Sequence, residues 1–211
     1  MDRYFIGPAD GGLLPTEKGG GAGGGEKTQT RKALSAADGA GGGGSRHLGG
    51  QQRAVSGGVR LHRRKTARRL VVLSDLHGKR FGRQNSRLLE AVRGAKPDVI
   101  CLCGDMMDEW SGTEYLRPLL EGLVEIAPVY YVTGNHEWAV GGVPALKEIL
   151  TANGVTVLSN QFVPLERNGD TIVLAGIDDP NGYADQKTPE ELAAEVYAAC
   201  GDPFWILLAH R

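Results

Sequence analysis

The 211-residue chain, 41% hydrophobic, is long enough for one sizeable domain with extras, and it has no run of about 18 or more apolar residues that would span a membrane. Its three cysteines argue against a disulfide framework, because Cys101 and Cys103 alternate in one apolar run and Cys200 ends a helix-like segment. Reduced thiols and a reducing compartment are expected, and the Gly- and Pro-interrupted N-terminus lacks the apolar core of a signal peptide, so the reading is cytoplasmic.

The formal net charge of −1 conceals two unlike parts. Residues 1–69 carry 13 Lys and Arg against 5 Asp and Glu, a balance of +8, while the remainder carries 11 against 20, a balance of −9. Glycine is split similarly, with 18 of the 32 in the first 60 residues. A tail (1–69) and a single domain (70–211) are expected. Residues 7–58 offer too few branched or aromatic side chains to offset the entropy of ordering, so a mobile coil is predicted there. The basic run at 60–69, RLHRRKTARR, reads either as a solvated linker or as a weak contact for an anionic surface. Without interleaved aromatics to stack bases the linker reading is favoured, and no specific nucleic-acid partner is predicted.

From residue 70 the elements follow one another closely. The stretch LVVLSDLH at 70–77 reads as a buried parallel strand, with Asp75 and His77 two residues apart on an extended backbone and so pointing the same way. Asn85 is placed as the cap of a helix with Leu88, Leu89 and Val92 on its apolar face, stopped by Gly94 and Pro97. DVICLC at 98–103 is a second strand. A capping-box pattern at Ser111–Glu114 then opens a helix through Leu116, Leu119, Leu120 and Leu123, which Pro128 ends. Residues 129–132 are a third strand, and Pro144 begins a short helix terminated at Asn153-Gly154. VTVLSN is a fourth strand, Asn168-Gly169 turns a hairpin, and Thr188-Pro189-Glu190-Glu191 opens a last helix before the strand PFWILLAH.

An Asp-x-His after an apolar run has an ordinary explanation, since Asp caps elements and His is commonly a rim residue. Repetition changes its weight. Asp105 lies 30 residues after Asp75 and Asn135 another 30 after Asp105, one strand-helix-strand unit each time. Three successive strands thus deliver polar, metal-type ligands to the same sheet edge, where open α/β sheets collect ligands.

Collected, the motifs are Asp75-x-His77, Gly104-Asp105-x-x-Asp108, Gly134-Asn135-His136-Glu137 and a strand ending in His210. This pattern resembles the calcineurin-like metallophosphoesterases, and SDLHGKRFG and LAGIDDP look most like their bacterial phosphodiesterase branch. The resemblance implies an α/β fold of layered sheets flanked by helices and a dinuclear centre hydrolysing a small-molecule phosphoester. It implies that Asp75, His77 and Asp105 hold one divalent ion and that Asp105, Asn135 and His210 hold the other, the ions being Mn, Fe, Zn or Ni. It further implies that His136 points into the cleft and protonates the leaving oxygen while Asp108 orients its ring, although a capping role for Asp108 fits the loop equally well. Glu137 is assigned to the layer behind the ligands, and Asp178 and Asp179 to an ordinary turn. The family's further Gly-His-x-His segment has no counterpart before Arg211, which implies a fold incomplete at its C-terminus. The competing function is a noncatalytic metal-binding form of the same domain. Relatives in this branch are often membrane-associated, so peripheral membrane contact stays open, and oligomeric state is left undetermined.

Overall fold

The computed structural model describes residues 5–6, 57–62, 67–107, 113–183 and 186–211. Its strands are β1 (Phe5–Ile6), β2 (Gly57–His62), β3 (Ala67–Leu73), β4 (Val99–Cys103), β5 (Val129–Val132), β6 (Thr156–Val157), β7 (Gln161–Arg167), β8 (Asp170–Gly176) and β9 (Phe204–Leu208). They form two sheets, ordered β2-β3-β4-β5-β6 and β1-β9-β8-β7. In the first, β3 to β6 run parallel and β2 is antiparallel to β3. In the second, β8 and β9 are parallel and the other pairs antiparallel.

Alternation along each strand builds the layers. In β3, Leu70 and Val72 join Cys101, Ile172, Leu174 and Ile206 between the sheets, whereas Val71 and Leu73 face the opposite way. That outer face is covered by α1 (Ser86–Ala95), α2 (Leu116–Val124) and α4 (Val143–Ala152) through Leu88, Leu120 and Leu146. Behind the second sheet, Val173, Ala175 and Trp205 pack on Leu192 and Val196 of α5 (Pro189–Cys200). Helix, sheet, sheet and helix follow in order, which is the layered α/β architecture expected. Both faces of the central strands are apolar because both are covered.

Several local expectations hold. The hairpin between β7 and β8 turns at Asn168 (φ 52°) and Gly169 (φ 74°), the double left-handed geometry of a type I′ turn. Thr188 and Glu191 exchange side-chain and backbone bonds at the start of α5, at 3.2 and 2.8 Å. Others are corrected. Asn85 does not cap α1; it is left-handed (φ 60°) and its Oδ1 accepts from the Phe81 amide at 3.0 Å, closing the preceding loop instead. The start of α2 has no side-chain cap bond at Tyr115, and Ser111 and Gly112 lie outside the described residues. A five-residue helix, α3 (Asn135–Ala139), occupies what reads as the loop after β5.

Within residues 1–69, the ends of the basic run belong to strands, while 63–66 and the glycine-rich 7–56 lie outside the described residues. Arg68 is 6% exposed and its Nη2 donates to the Asp170 carbonyl at 3.0 Å. Arg69 Nη1 donates to the Ala95 carbonyl at 2.5 Å, and its amide donates to Asp98 at 2.7 Å. These two arginines hold the domain together and are not part of a free basic surface.

Cys101 and Cys103 sit in the central strand β4, buried, whereas Cys200 is exposed. Burial, with a smaller contribution from the Asp75 charge, pushes the Cys103 thiol up to about 12, and burial also raises Cys101. The native protein should therefore consume one equivalent of a thiolate-selective alkylating reagent at pH 8 and three after unfolding. Rapid labelling of all three in the native state would contradict the central placement of β4.

Candidate metal centre

The C-terminal ends of β3, β4, β5 and β9 meet at one edge of the sandwich. Pairing continues past the strands: the amides of Asp75, His77 and Gly78 donate to the carbonyls of Gly104, Asp105 and Met106 at 3.2, 2.9 and 3.0 Å. The side chains converge, though not by the extended backbone expected. Asp75 (φ 58°), His77 (φ 46°) and Asp105 (φ 53°) are all left-handed, a conformation that costs a non-glycine residue about 1–2 kcal/mol each. Strain at three neighbouring polar residues points to a built site.

Glu137 supplies the compensating order. Fully buried, its carboxylate accepts from four backbone amides: Asp105 at 3.0 Å, Met106 at 2.6 Å, Met107 at 3.2 Å and Gly134 at 2.8 Å. One carboxylate thereby ties the loop after β4 to the first turn of α3. Charge-assisted bonds of this kind are the strong class. The loops then approach so closely that a Cβ on Gly134 would lie 2.3 Å from Asp105 Oδ1. Gly134→Ala is expected to displace the Asp105 carboxylate and weaken metal binding by about tenfold or more, through overpacking of about 1–3 kcal/mol. Calorimetric titration with Mn²⁺ checks it.

Asp105 is 3% exposed and central. Its Oδ2 lies 3.3 Å from His210 Nε2, 3.7 Å from His77 Nε2 and 4.0 Å from His136 Nε2, and its Oδ1 accepts from the His136 amide at 3.0 Å. His77 Nε2 is also 3.8 Å from Asp75 Oδ1, and His210 Nε2 is 3.1 Å from Asn135 Oδ1. His210 Nδ1 meets the Cys103 carbonyl at 2.9 Å, the arrangement that turns the other ring nitrogen toward a metal. Burial works against charging His210, yet the bonds to Asp105 and Cys103 and the charges of Asp105 and Asp75 raise it to about 9. Burial likewise pushes the Asp105 carboxyl up, but the bonds from His210 and the His136 amide and the charge of the two rings hold it below its ordinary value.

The donor set fits divalent ions. Two three-residue groups, His77-Asp105-His136 and Asp75-Asp105-His210, each have ligand atoms within 4.8 Å of one another, and both contain Asp105. Among the described residues no lysine or arginine forms an ion pair with Asp75 or Asp105, whose neighbours are imidazole rings. The five residues named from the sequence as metal ligands lie together, but grouped otherwise than the resemblance implies: Asp105 is joined by His77 and His136 on one hand and by Asp75 and His210 on the other, with Asn135 Oδ1 3.1 Å from His210 Nε2. His136 lies beside them: its ring meets His77 edge-on at 4.6 Å, and its buried Nδ1 has no hydrogen-bond partner among the described residues. Asp108 lies outside the described residues.

Sequence reading undervalued Asp178 and Asp179, both buried. Asp178 accepts from Thr133 Oγ1 at 2.8 Å, Lys147 Nζ at 2.9 Å and the Ser159 hydroxyl. Asp179 takes Arg211 Nε at 2.7 Å and Nη2 at 3.0 Å, a two-pronged pairing beside His210. The available signal was their place at the end of β8, on the same sheet edge.

Similarity to known proteins agrees with this geometry. The chain is 38% identical over 119 residues to a "Transmembrane protein with metallophosphoesterase domain" of Danio rerio, covering 53% of this chain and 27% of the relative. It is 32% identical over 156 residues to the protein of the same name in Bos taurus, covering 68% and 35%. An "Uncharacterized metallophosphoesterase" of Bacillus subtilis (strain 168) is 30% identical over 92 residues, 42% of this chain and 32% of that protein. The chain thus spans about a third of the length of these relatives. No helix among the described residues is long and apolar enough to cross a membrane. A phosphopantetheinyl hydrolase structure from Mycobacterium tuberculosis superposes with a TM-score of 0.40 at 19% identity, over 62% of this chain and 51% of that one, too slight a likeness to carry an argument. Residues 68–211, which hold every strand tip of the candidate centre, match the calcineurin-like phosphoesterase family, and the chain belongs to it.

Proposed function

We propose that the domain is a metal-dependent phosphoester hydrolase acting on phosphodiesters through two divalent ions that share Asp105. The supporting observation is the position of Asp105 Oδ2, which has three imidazole nitrogens near it at 3.3, 3.7 and 4.0 Å. Two like charges at short range need an anion between them, and a buried carboxylate common to both ligand groups supplies one. When bound, such a pair polarises the phosphoryl oxygens and provides hydroxide near neutral pH. The division that the family resemblance implies would put Asp75 and His77 on one side of the centre and Asn135 and His210 on the other, whereas the groups within reach of one another join His77 with His136 and Asp75 with His210. His136, partly exposed with its Nε2 4.0 Å from Asp105 Oδ2, would give a proton to the leaving oxygen, and Asp108 would orient its ring.

A second role for His136 is favoured by its membership in one ligand group. His136→Gln separates the two: full Mn²⁺ content with turnover reduced by about a hundredfold makes it the acid, whereas loss of an ion makes it a ligand. The test of the function is hydrolysis of bis(p-nitrophenyl) phosphate by the full chain with added Mn²⁺. Turnover that disappears on chelation supports it. Mn²⁺ binding without turnover would instead favour the noncatalytic metal-binding form.

A further inference from the structure

Two of the converging residues come from different sheets. Asn135 follows β5 in the first sheet and His210 follows β9 in the second, yet His210 Nε2 stands 3.1 Å from Asn135 Oδ1. Apolar packing between layers is non-directional, so it holds the sheets together without fixing two side chains to a few tenths of an ångström. Hydrogen bonds can fix them, because they weaken steeply when stretched or bent.

Such bonds gather at the tip of β8. Gly176 comes so near β5 that a Cβ on it would stand 2.6 Å from Val132 Cγ1, and the next amide, that of Ile177, donates to the Leu208 carbonyl at 3.0 Å. Asp178 and Asp179 follow, 4% and 1% exposed, and they are tied toward different ligands. On the Asn135 side, Asp178 Oδ1 accepts from Thr133 Oγ1 at 2.8 Å, and the Asp179 amide donates to the same hydroxyl at 2.9 Å. Trp138 Nε1 donates to it as well, at 3.0 Å. Thr133 is fully buried two residues before Asn135, and Trp138 lies three residues after it in α3. One bond given and two accepted use the capacity of that hydroxyl, so a single oxygen holds the start of α3 from both ends.

On the His210 side, the Asp179 carboxylate takes Arg211 Nε at 2.7 Å and Nη2 at 3.0 Å, and Arg211 is the residue after His210. The remaining oxygen of Asp178 meets Lys147 of α4 at 2.9 Å and the Ser159 hydroxyl. Each buried carboxylate therefore has its own cation, and neither is free to turn toward a metal.

We propose that Thr133, Asp178 and Asp179 are positioning residues that set the separation of Asn135 and His210 and, through it, the affinity for the ion that His210 helps to hold. The proposal rests on the metal-dependent reading above. None of the three belongs to either ligand group, so they act on an ion through the residues they fasten. Partners behind metal ligands are worth about 10–100-fold in affinity.

The test is a calorimetric titration of the full chain with Mn²⁺. Thr133→Val keeps the shape and removes the hydroxyl, and it should weaken one bound ion by about 10–100-fold. Thr133→Ser keeps the hydroxyl and should bind as the native chain does. Asp179→Asn removes the charge facing Arg211 and should weaken the same ion, which decides the matter if Thr133→Val does not fold. Arg68→Met reads the effect of lost stability alone, since it cuts the bond from Arg68 to the Asp170 carbonyl at the starts of β3 and β8, and it should leave Mn²⁺ affinity unchanged. In an Asn135→Ala background, Thr133→Val should add no further loss. Native affinity in both Thr133→Val and Asp179→Asn, an equal loss in Thr133→Ser or Arg68→Met, or an additive loss on top of Asn135→Ala overturns the proposal. The metal-dependent reading fails separately, if the native chain takes up no Mn²⁺. Positioning is then decided in the metal-free chain by nuclear magnetic resonance: the ring-nitrogen signals of His210 should move in Thr133→Val and stay in Thr133→Ser, and identical native and Thr133→Val signals overturn it.

Discussion

Replacing Asp105 with asparagine should lower phosphodiester hydrolysis by at least about a thousandfold and reduce bound Mn²⁺ to one ion or fewer per chain. The substitution preserves shape and leaves an oxygen to accept the His136 amide, so the loop after β4 should keep its path. What disappears is the negative charge common to both ligand groups. Steady-state kinetics and metal analysis on the same preparation read the two effects, and a circular dichroism spectrum matching the native protein shows that the fold remains. Because metal-ligand sets act as a unit, this loss should be no deeper when His77 or His210 is substituted as well. An Asp105→Asn protein that retained both ions would place the shared anion elsewhere.

Glu137→Gln is expected to have the second-largest effect, acting through structure and not through contact with an ion. A buried glutamine presents one accepting oxygen, and its amide group points donors at other donors. At least two of the four backbone amides that the carboxylate serves would lose their partner, at about 1–3 kcal/mol each. The loss should be about 3 kcal/mol, seen as a lower urea midpoint at unchanged slope. Because those amides belong to the loop carrying Asp105 and to the turn before Asn135, Mn²⁺ affinity should also fall, by about 10–100-fold. Unchanged stability would mean that the carboxylate is not the fastening between the two loops.

The difference between these two residues explains what could be read from the chain alone. Asp75, Asp105 and Asn135 were legible because a parallel strand-helix-strand unit has a typical length, and repeating it places successive strand tips side by side. His210 was legible because it ends an apolar run of the same kind, even though its strand belongs to the other sheet. The layering followed from apolar runs long enough for one strand and too short for a helix. Glu137 was named, but its office was not, since it acts on amides about 30 residues away and leaves no local pattern. The left-handed backbone at Asp75 and His77 was similarly invisible, because it arises from pairing with the loop after β4 and not from any turn-forming residue of its own. Asp179 read as an ordinary turn because what distinguishes it is tertiary: an arginine that lies just past the end of β9.

The Mn²⁺ form gives the most direct view of the central idea, that one buried carboxylate serves two ions. Electron paramagnetic resonance of the full chain titrated with Mn²⁺ should show an exchange-coupled spectrum that reaches its maximum at two ions per chain and is lost in Asp105→Asn. A six-line signal from isolated ions, saturating at one per chain, would contradict it.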